Sequence, residues 1–312
     1  MTYHRPTREA AAGRWRGILI HLGVPGESLR GKHAACPMCG GTDRFRFDNK
    51  GGLGTWICNN CGAGDGMMLA EKFTGQDFRD VAQRVDGILG NEKIGADPKP
   101  REVTDEQRRA ALREVYVASQ QAQPGDLVDA YLRSRDLDEL AYPKALRFAP
   151  SIRDGEGGVR PAMVSVVSDP AGKPCTLHRT FLRPDGAGKA EMEAPRKIMP
   201  GCIPDGASVR LSDYAGGPLG IAEGVETALA ASALYEIPVW AALSTSMMAK
   251  WEPPEGCDEV TIFGDNDAKF GGHAAAYRLA HRLACNGLEV FVKFPEQAGK
   301  DWADVWSERR PA

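Results

Sequence analysis

Four cysteines in two tight pairs constrain this chain more than any other feature. They are Cys36-Pro37-Met38-Cys39 and Cys58-Asn59-Asn60-Cys61, with 18 residues between the pairs. Thiolates spaced in this way reach one tetrahedral ion, so the spacing predicts a zinc ribbon. Cys36, Cys39, Cys58 and Cys61 fill all four positions, so the zinc is expected to be structural rather than catalytic. His33, just upstream, is then not needed as a ligand. Glycines follow each pair, Gly40-Gly41 and Gly62, and permit turns that aim backbone N–H groups at the sulfurs. Between the pairs, Asp43-Arg44-Phe45-Arg46-Phe47 reads as a strand with the arginines on one face and the phenylalanines on the other. Arg44 and Arg46 are candidates for gripping nucleic-acid phosphates. Phe45 and Phe47 could stack on unpaired bases, but with Trp56 they are better placed to fill a minimal core. Cys175, Cys202, Cys257 and Cys285 have no motif spacing and read as structural.

At 312 residues, 42% hydrophobic and 26% charged, the chain fits a soluble protein of two or three domains. No apolar run approaches the roughly 18–20 residues that span a bilayer. Arg5, Arg8, Arg14 and Arg16 with no long apolar core exclude a signal peptide at the start. A reducing cytoplasm is therefore expected, where paired cysteines bind metal rather than form disulfides. The net charge is only −3, but it is unevenly spread. Residues 1–62 hold nine Lys/Arg against four Asp/Glu, a balance of +5, and residues 143–210 hold eleven against seven, a balance of +4. Basic regions beside an acidic remainder suit a polyanion at one place and cations at another.

The pattern predicts one short helix over 8–22, a helix near 66–73 capped by Asp65, and another over 76–89. Residues 90–104 are polar, with two prolines, and read as a linker. Helices are expected near 105–121 and 126–134, then strands at 162–168 and 175–182 around the turn Asp169-Pro170-Ala171-Gly172. From 218 onward strands alternate with helices: strands 218–223, 238–243, 259–264 and 288–294, and helices 225–235, 245–250 and 272–285. Such alternation implies a parallel sheet with helices on both faces. The expected fold class is α/β. The expected domains are a zinc ribbon over 1–89, a linker over 90–104, a helical and basic α+β part over 105–215, and a Rossmann-like domain over 216–312.

Carboxylates stand at the ends of the apolar strands. Glu223 ends one strand in Gly220-Ile221-Ala222-Glu223-Gly224-Val225-Glu226-Thr227, and Asp265 and Asp267 end another in Ile262-Phe263-Gly264-Asp265-Asn266-Asp267. Sites in open parallel sheets form beyond the carboxyl ends of the strands, so these acids should meet in one crevice. An extended Asp-x-Asp puts both side chains on one side, and hard oxygens there suit Mg²⁺. Lys300-Asp301-Trp302-Ala303-Asp304 adds a third acidic cluster. Any one acid alone could be a helix cap; three at strand ends support phosphoryl transfer assisted by a metal ion.

The Glu223 and Asp265-Asn266-Asp267 pattern resembles the Toprim domain shared by DnaG-like primases, topoisomerases and some nucleases, over about residues 217–308. The segment from Gly31 to Leu69, above all GKHAACPMCGGTDRFRF, resembles the zinc ribbon of phage and plasmid primases. The joint occurrence favours a primase among the Toprim families. This resemblance implies that Glu223, Asp265 and Asp267 are catalytic and, with Asp301, hold Mg²⁺ or Mn²⁺. It implies that Arg160, Arg179, Arg196 and Lys197 form a basic surface for nucleotide and template, and that the ribbon holds the single-stranded DNA template. The implied activity is synthesis of short RNA primers from ribonucleoside triphosphates, for a phage, plasmid or other mobile element. The sequence holds no G-x-x-x-x-G-K-[ST] loop, so a separately encoded helicase is the expected partner. A non-catalytic DNA-binding replication regulator and a Toprim nuclease are the alternatives. The first would bind DNA without synthesis, and the second would nick it.

Overall fold

A computed structural model describes residues 7–91, 104–138, 142–201 and 203–309. Cys202 and most of the expected linker lie outside the described residues. The chain divides into two compact units, Met1–Glu102 and Val103–Ala312.

The first unit opens with two short helices, α1 (Thr7–Ala11) and α2 (Trp15–His21), where the sequence predicts one. Gly13, at φ 74°, breaks the run between them. Four short strands follow: β1 (His33–Cys36), β2 (Gly40–Phe47), β3 (Trp56–Cys58) and β4 (Gly62–Gly64). They pair antiparallel in the order β1-β2-β3-β4. Helix α3 (Gly66–Thr74) starts at Asp65, whose carboxylate accepts from Met68 N at 2.9 Å, and α4 (Phe78–Asn91) completes the unit. Phe45, Phe47 and Trp56 are buried with Trp15, Ile18, Leu19 and Met67 in one core. Phe45 stacks on Trp56 with ring centroids 5.9 Å apart. The aromatic residues therefore pack inward rather than offering a stacking surface.

The second unit begins with α5 (Asp105–Val117), whose Thr104 and Gln107 form a reciprocal capping box. After it come β5 (Gln120–Gln121) and α6 (Leu127–Arg133), capped by Asp126. Strands β6 (Leu146–Arg153), β7 (Val159–Ser168), β8 (Pro174–Phe181) and β9 (Arg196–Ile198) then join β5 in an antiparallel sheet ordered β5-β6-β7-β8-β9. The rest is a parallel α/β layer of β10 (Leu219–Ala222), α7 (Val225–Tyr235), β11 (Val239–Ala241), α8 (Thr245–Met248), β12 (Glu259–Phe263), α9 (Gly271–Cys285), β13 (Glu289–Lys293) and α10 (Trp302–Arg309). Its strand order is β11-β10-β12-β13, every pair parallel. Strands buried on both faces read as continuous apolar runs, which is why this alternation is visible in sequence. Single bridges, Ser168 to Ser208 and Val209 to Ala241, tie the two sheets together. A shared core joins them, with Leu146, Met163 and Val167 of one sheet against Ala222 and Phe263 of the other and Val225 of α7.

Register divides the basic residues of the antiparallel sheet between its two faces. Arg179 pairs with Lys197, and Thr180 with Arg196. Neighbours along a strand point to opposite faces. Lys197 and Arg179 thus lie on the face packed with Leu177, Phe181 and Met199, while Arg196 lies on the face of Ile198, which packs into the core shared with the parallel layer.

Candidate functional site

The four cysteine sulfurs come together in the first unit, all within 4.8 Å of one another. Cys36 and Cys61 sulfurs are 3.9 Å apart, and those of Cys39 and Cys58 are 3.8 Å apart. A tetrahedron with Zn–S bonds of about 2.3 Å has edges of about 3.8 Å, so the cage fits zinc. Burial, then the hydrogen bonds of its sulfur neighbours, push the Cys61 thiol up to about 12. Cys61 N also donates to the Cys58 sulfur at 3.4 Å, and Gly40, Gly41 and Gly62 all have positive φ, as the turns require. His33 stays outside the cage and bonds the Asp43 carbonyl at 2.8 Å. Of the two ribbon arginines, Arg46 donates to Asp48 Oδ1 at 2.5 Å and Arg44 lies across Gly41.

A second site opens at the carboxyl ends of the parallel strands. A cavity of about 160 Å³ is walled by Glu223, Gly224, Glu226 and Thr227 after β10, Asp265 after β12, and Asp301 before α10. Arg135, Lys189 and Arg196 complete the wall from the region of the antiparallel sheet. Carboxylates thus face cations across one small space. Burial, reinforced by Glu223 and Asp301, pushes the Asp265 carboxyl up to about 7, and Oδ1 of Asp265 is sealed from solvent with no hydrogen-bond partner among the described residues. Burial also raises Glu223, with Arg196 opposing. A sealed, unpartnered carboxylate oxygen beside a second destabilised acid is what a divalent cation would satisfy. The acids therefore fit a metal, although their oxygens do not close into a tight cluster as the sulfurs do.

Asp267 behaves differently from the extended-strand expectation. Its Oδ1 accepts from Lys269 N at 3.0 Å and Gly271 N at 3.1 Å, and its Oδ2 from Gly272 N at 2.6 Å. These bonds outweigh burial and hold its carboxyl below the usual range. The chain turns at Asn266, which bonds Lys300 O and Pro295 O, so Asp265 enters the cavity while Asp267 caps α9. Asp301 also accepts from Asp304 N at 2.9 Å, and Arg135 lies 3.7 Å from Asp301 and 3.8 Å from Asp304.

Of the basic residues named from sequence, only Arg196 lines this cavity. Arg160 pairs with buried Asp154 at 3.1 Å, Lys197 with Glu156 at 2.8 Å, and Arg179 donates to Arg153 O at 3.1 Å. Sequence reasoning did not single out Arg135, Lys189 or Glu226. Glu226 had a signal: it is the one charge inside an otherwise apolar helix, VETALAASALY, and a charge on an all-apolar helix must be paired.

Residues 31–67 match the family model of the zinc-binding domain of primase-helicase, and residues 218–312 match that of the Toprim domain. The chain carries a primase-type zinc ribbon and a Toprim domain. Residues 106–211 match a domain of unknown function (DUF7146), which supplies Arg135, Lys189 and Arg196 to the Toprim cavity. Among solved structures, the chain is similar to the zinc-binding and RNA polymerase domains of Aquifex aeolicus primase, with 15% identity over 98% of this chain and 83% of that one, at a TM-score of 0.38. It is also similar to the primase fragment of the bacteriophage T7 primase-helicase, with 15% identity over 89% and 94% of the two chains, at a TM-score of 0.41. The RNA polymerase domain of Mycobacterium tuberculosis primase is 18% identical over 64% and 74%, at a TM-score of 0.38. Among the described residues no helix is long and apolar enough to cross a membrane.

Proposed function

We propose that this protein is a DNA primase that makes short RNA primers de novo on single-stranded DNA by metal-dependent nucleotidyl transfer. The observation that carries the reading is the Toprim cavity, where Glu223, Asp265 and Asp301 share one small space with Arg196 in a chain that also carries a primase-type ribbon. A ligand that combines a divalent metal with phosphates satisfies both sides of that cavity, and a nucleoside triphosphate is such a ligand.

In this reading Asp265 and Glu223 hold magnesium or manganese, with Asp301 at the edge of the site. Asp267 would have to release its three backbone bonds to join them. When bound, the metal neutralises charge developing on the phosphate oxygens. Arg196 orients the triphosphate so that its α-phosphorus faces the 3′-hydroxyl of the preceding ribonucleotide. The hydroxyl oxygen bonds to that phosphorus as pyrophosphate leaves. Where Glu223 does not hold the metal, it is the group placed to take the hydroxyl proton. The zinc ribbon holds the template, with Arg44 and Arg46 on its exposed sheet face; Arg160, Arg179 and Lys197 belong to a separate surface for nucleic acid. A helicase is the expected partner, and the site is expected in the replication apparatus of a mobile element.

The test is primer synthesis on defined single-stranded templates with ribonucleotides and either Mg²⁺ or Mn²⁺. Oligoribonucleotides should appear with wild-type protein and vanish with Glu223→Gln or Asp265→Asn. Absence of product under both metals, or nicking of the template instead of synthesis, would sink the reading.

A further inference from the structure

The most deeply buried charge of the Toprim cavity is Glu226, whose side chain is only 7% exposed. Three segments converge on its Oε1. Tyr131 of α6 donates its hydroxyl, Lys189 places its ammonium 2.9 Å away, and Glu226 itself stands in the first turn of α7. Burial works against the Glu226 charge, yet Lys189 and the Tyr131 hydrogen bond outweigh it and keep the carboxyl ionised well below the usual range.

Lys189 sits on the hairpin that follows β8, where Leu182 bridges to it. This hairpin is seated on α6. Gly186, at φ 72°, lies so close to Ala130 that a side chain there would collide with it. The helix that carries Tyr131 therefore also fixes the loop that carries Lys189. An ammonium has three donors. Glu226 takes one, and no other partner of Lys189 is found among the described residues, while the side chain remains 32% exposed in the cavity wall. Arg135, paired with Asp301 and Asp304, shares the cavity wall with Lys189 and Arg196. A buried ion pair rarely adds net stability over an apolar replacement. Its place in the wall of the cavity is better explained by aim than by stability.

We propose that Lys189 contacts the polyphosphate of the incoming nucleotide and that Glu226, held by Tyr131, is the positioning residue that aims it. This inference rests on the primase reading and assigns Lys189 and Glu226 roles within it.

The test uses the full chain and a fluorescent ATP analogue with Mn²⁺, comparing wild type, Glu226→Gln, Lys189→Met and the double variant. The double variant removes both charges together, so it leaves neither buried alone and guards against a folding defect. Each single variant should weaken ATP binding roughly tenfold, and the double should be no weaker than Lys189→Met alone, because residues acting through one contact are not additive. Weakening should appear in KM for ribonucleotides with kcat nearly unchanged, and binding of the matching AMP analogue should not change. The proposal is overturned if the double variant binds ATP like wild type, if the single effects multiply, or if AMP binding falls equally. Those outcomes leave primer synthesis by wild type intact; failure of wild type to bind ATP or make primers takes down the primase reading itself.

Discussion

Asp265 concentrates the cost of this site in one side chain. Its carboxyl is pushed from 3.8 to about 7 by burial and by Glu223 and Asp301. In the metal-free protein the fold therefore favours the protonated form. The stability this group contributes is full below its unfolded value and is lost as pH rises towards 7. Asp265→Asn should accordingly raise the Tm of metal-free protein at pH 8, on the order of 5 °C, and much less at pH 5. The same substitution should abolish primer synthesis, since stability and activity oppose each other at such sites. Thermal scans at the two pH values check this, and an equal gain at both would refute it. Glu223 and Asp265 are legible from sequence because they follow apolar strands. Asp267 stands in the same motif but ends on α9, because the turn at Asn266 breaks the alternation that an extended strand would impose.

Individual elements were legible where a run of one residue character was long enough to register, even for the half-exposed β13. Helix α7 and the strands around it coincide closely with the apolar runs of the sequence, because the strand β10 and the first two turns of α7 are buried throughout. Strand β6 was hidden by Pro150 and by a register shift between Ala149 and Ile152. Strand β9 is three residues long, Arg196–Ile198, too short for any alternation to register. Packing at the start of α9 yields a second prediction. Gly272 lies against the Asp265 backbone so closely that any side chain would collide with it. Gly272→Val should cost about 1–3 kcal/mol and displace Asp265, weakening Mn²⁺ binding. Denaturant titration together with Mn²⁺ titration checks both halves.

In the proposed reading, the two units divide labour between two kinds of metal chemistry. The cysteine cage is closed, so its ion supplies folding energy, with apparent values of about 10–16 kcal/mol for structural zinc in peptides. Cys58→Ser should therefore unfold the ribbon, exposing Trp15 and Trp56, and lower affinity for single-stranded DNA at least about tenfold. Binding of Mn²⁺ and ATP should stay within about twofold of wild type, because the proposed function assigns both ligands to the other unit. Intrinsic fluorescence and the two binding assays check this, and parallel loss of both activities would contradict it.

The short β9 carries one more consequence, for relatives and for engineering. Arg196 reaches the cavity and Lys197 turns away only because of the pairing of Thr180 with Arg196 and Arg179 with Lys197. A slip of one residue would exchange their faces. The hairpin before β9 could then gain or lose a single residue and still deliver a cation to the cavity, with lysine in place of arginine. Adjacent basic residues at this point amount to a spare key cut for the same lock: either register would set a positive charge in the cavity wall.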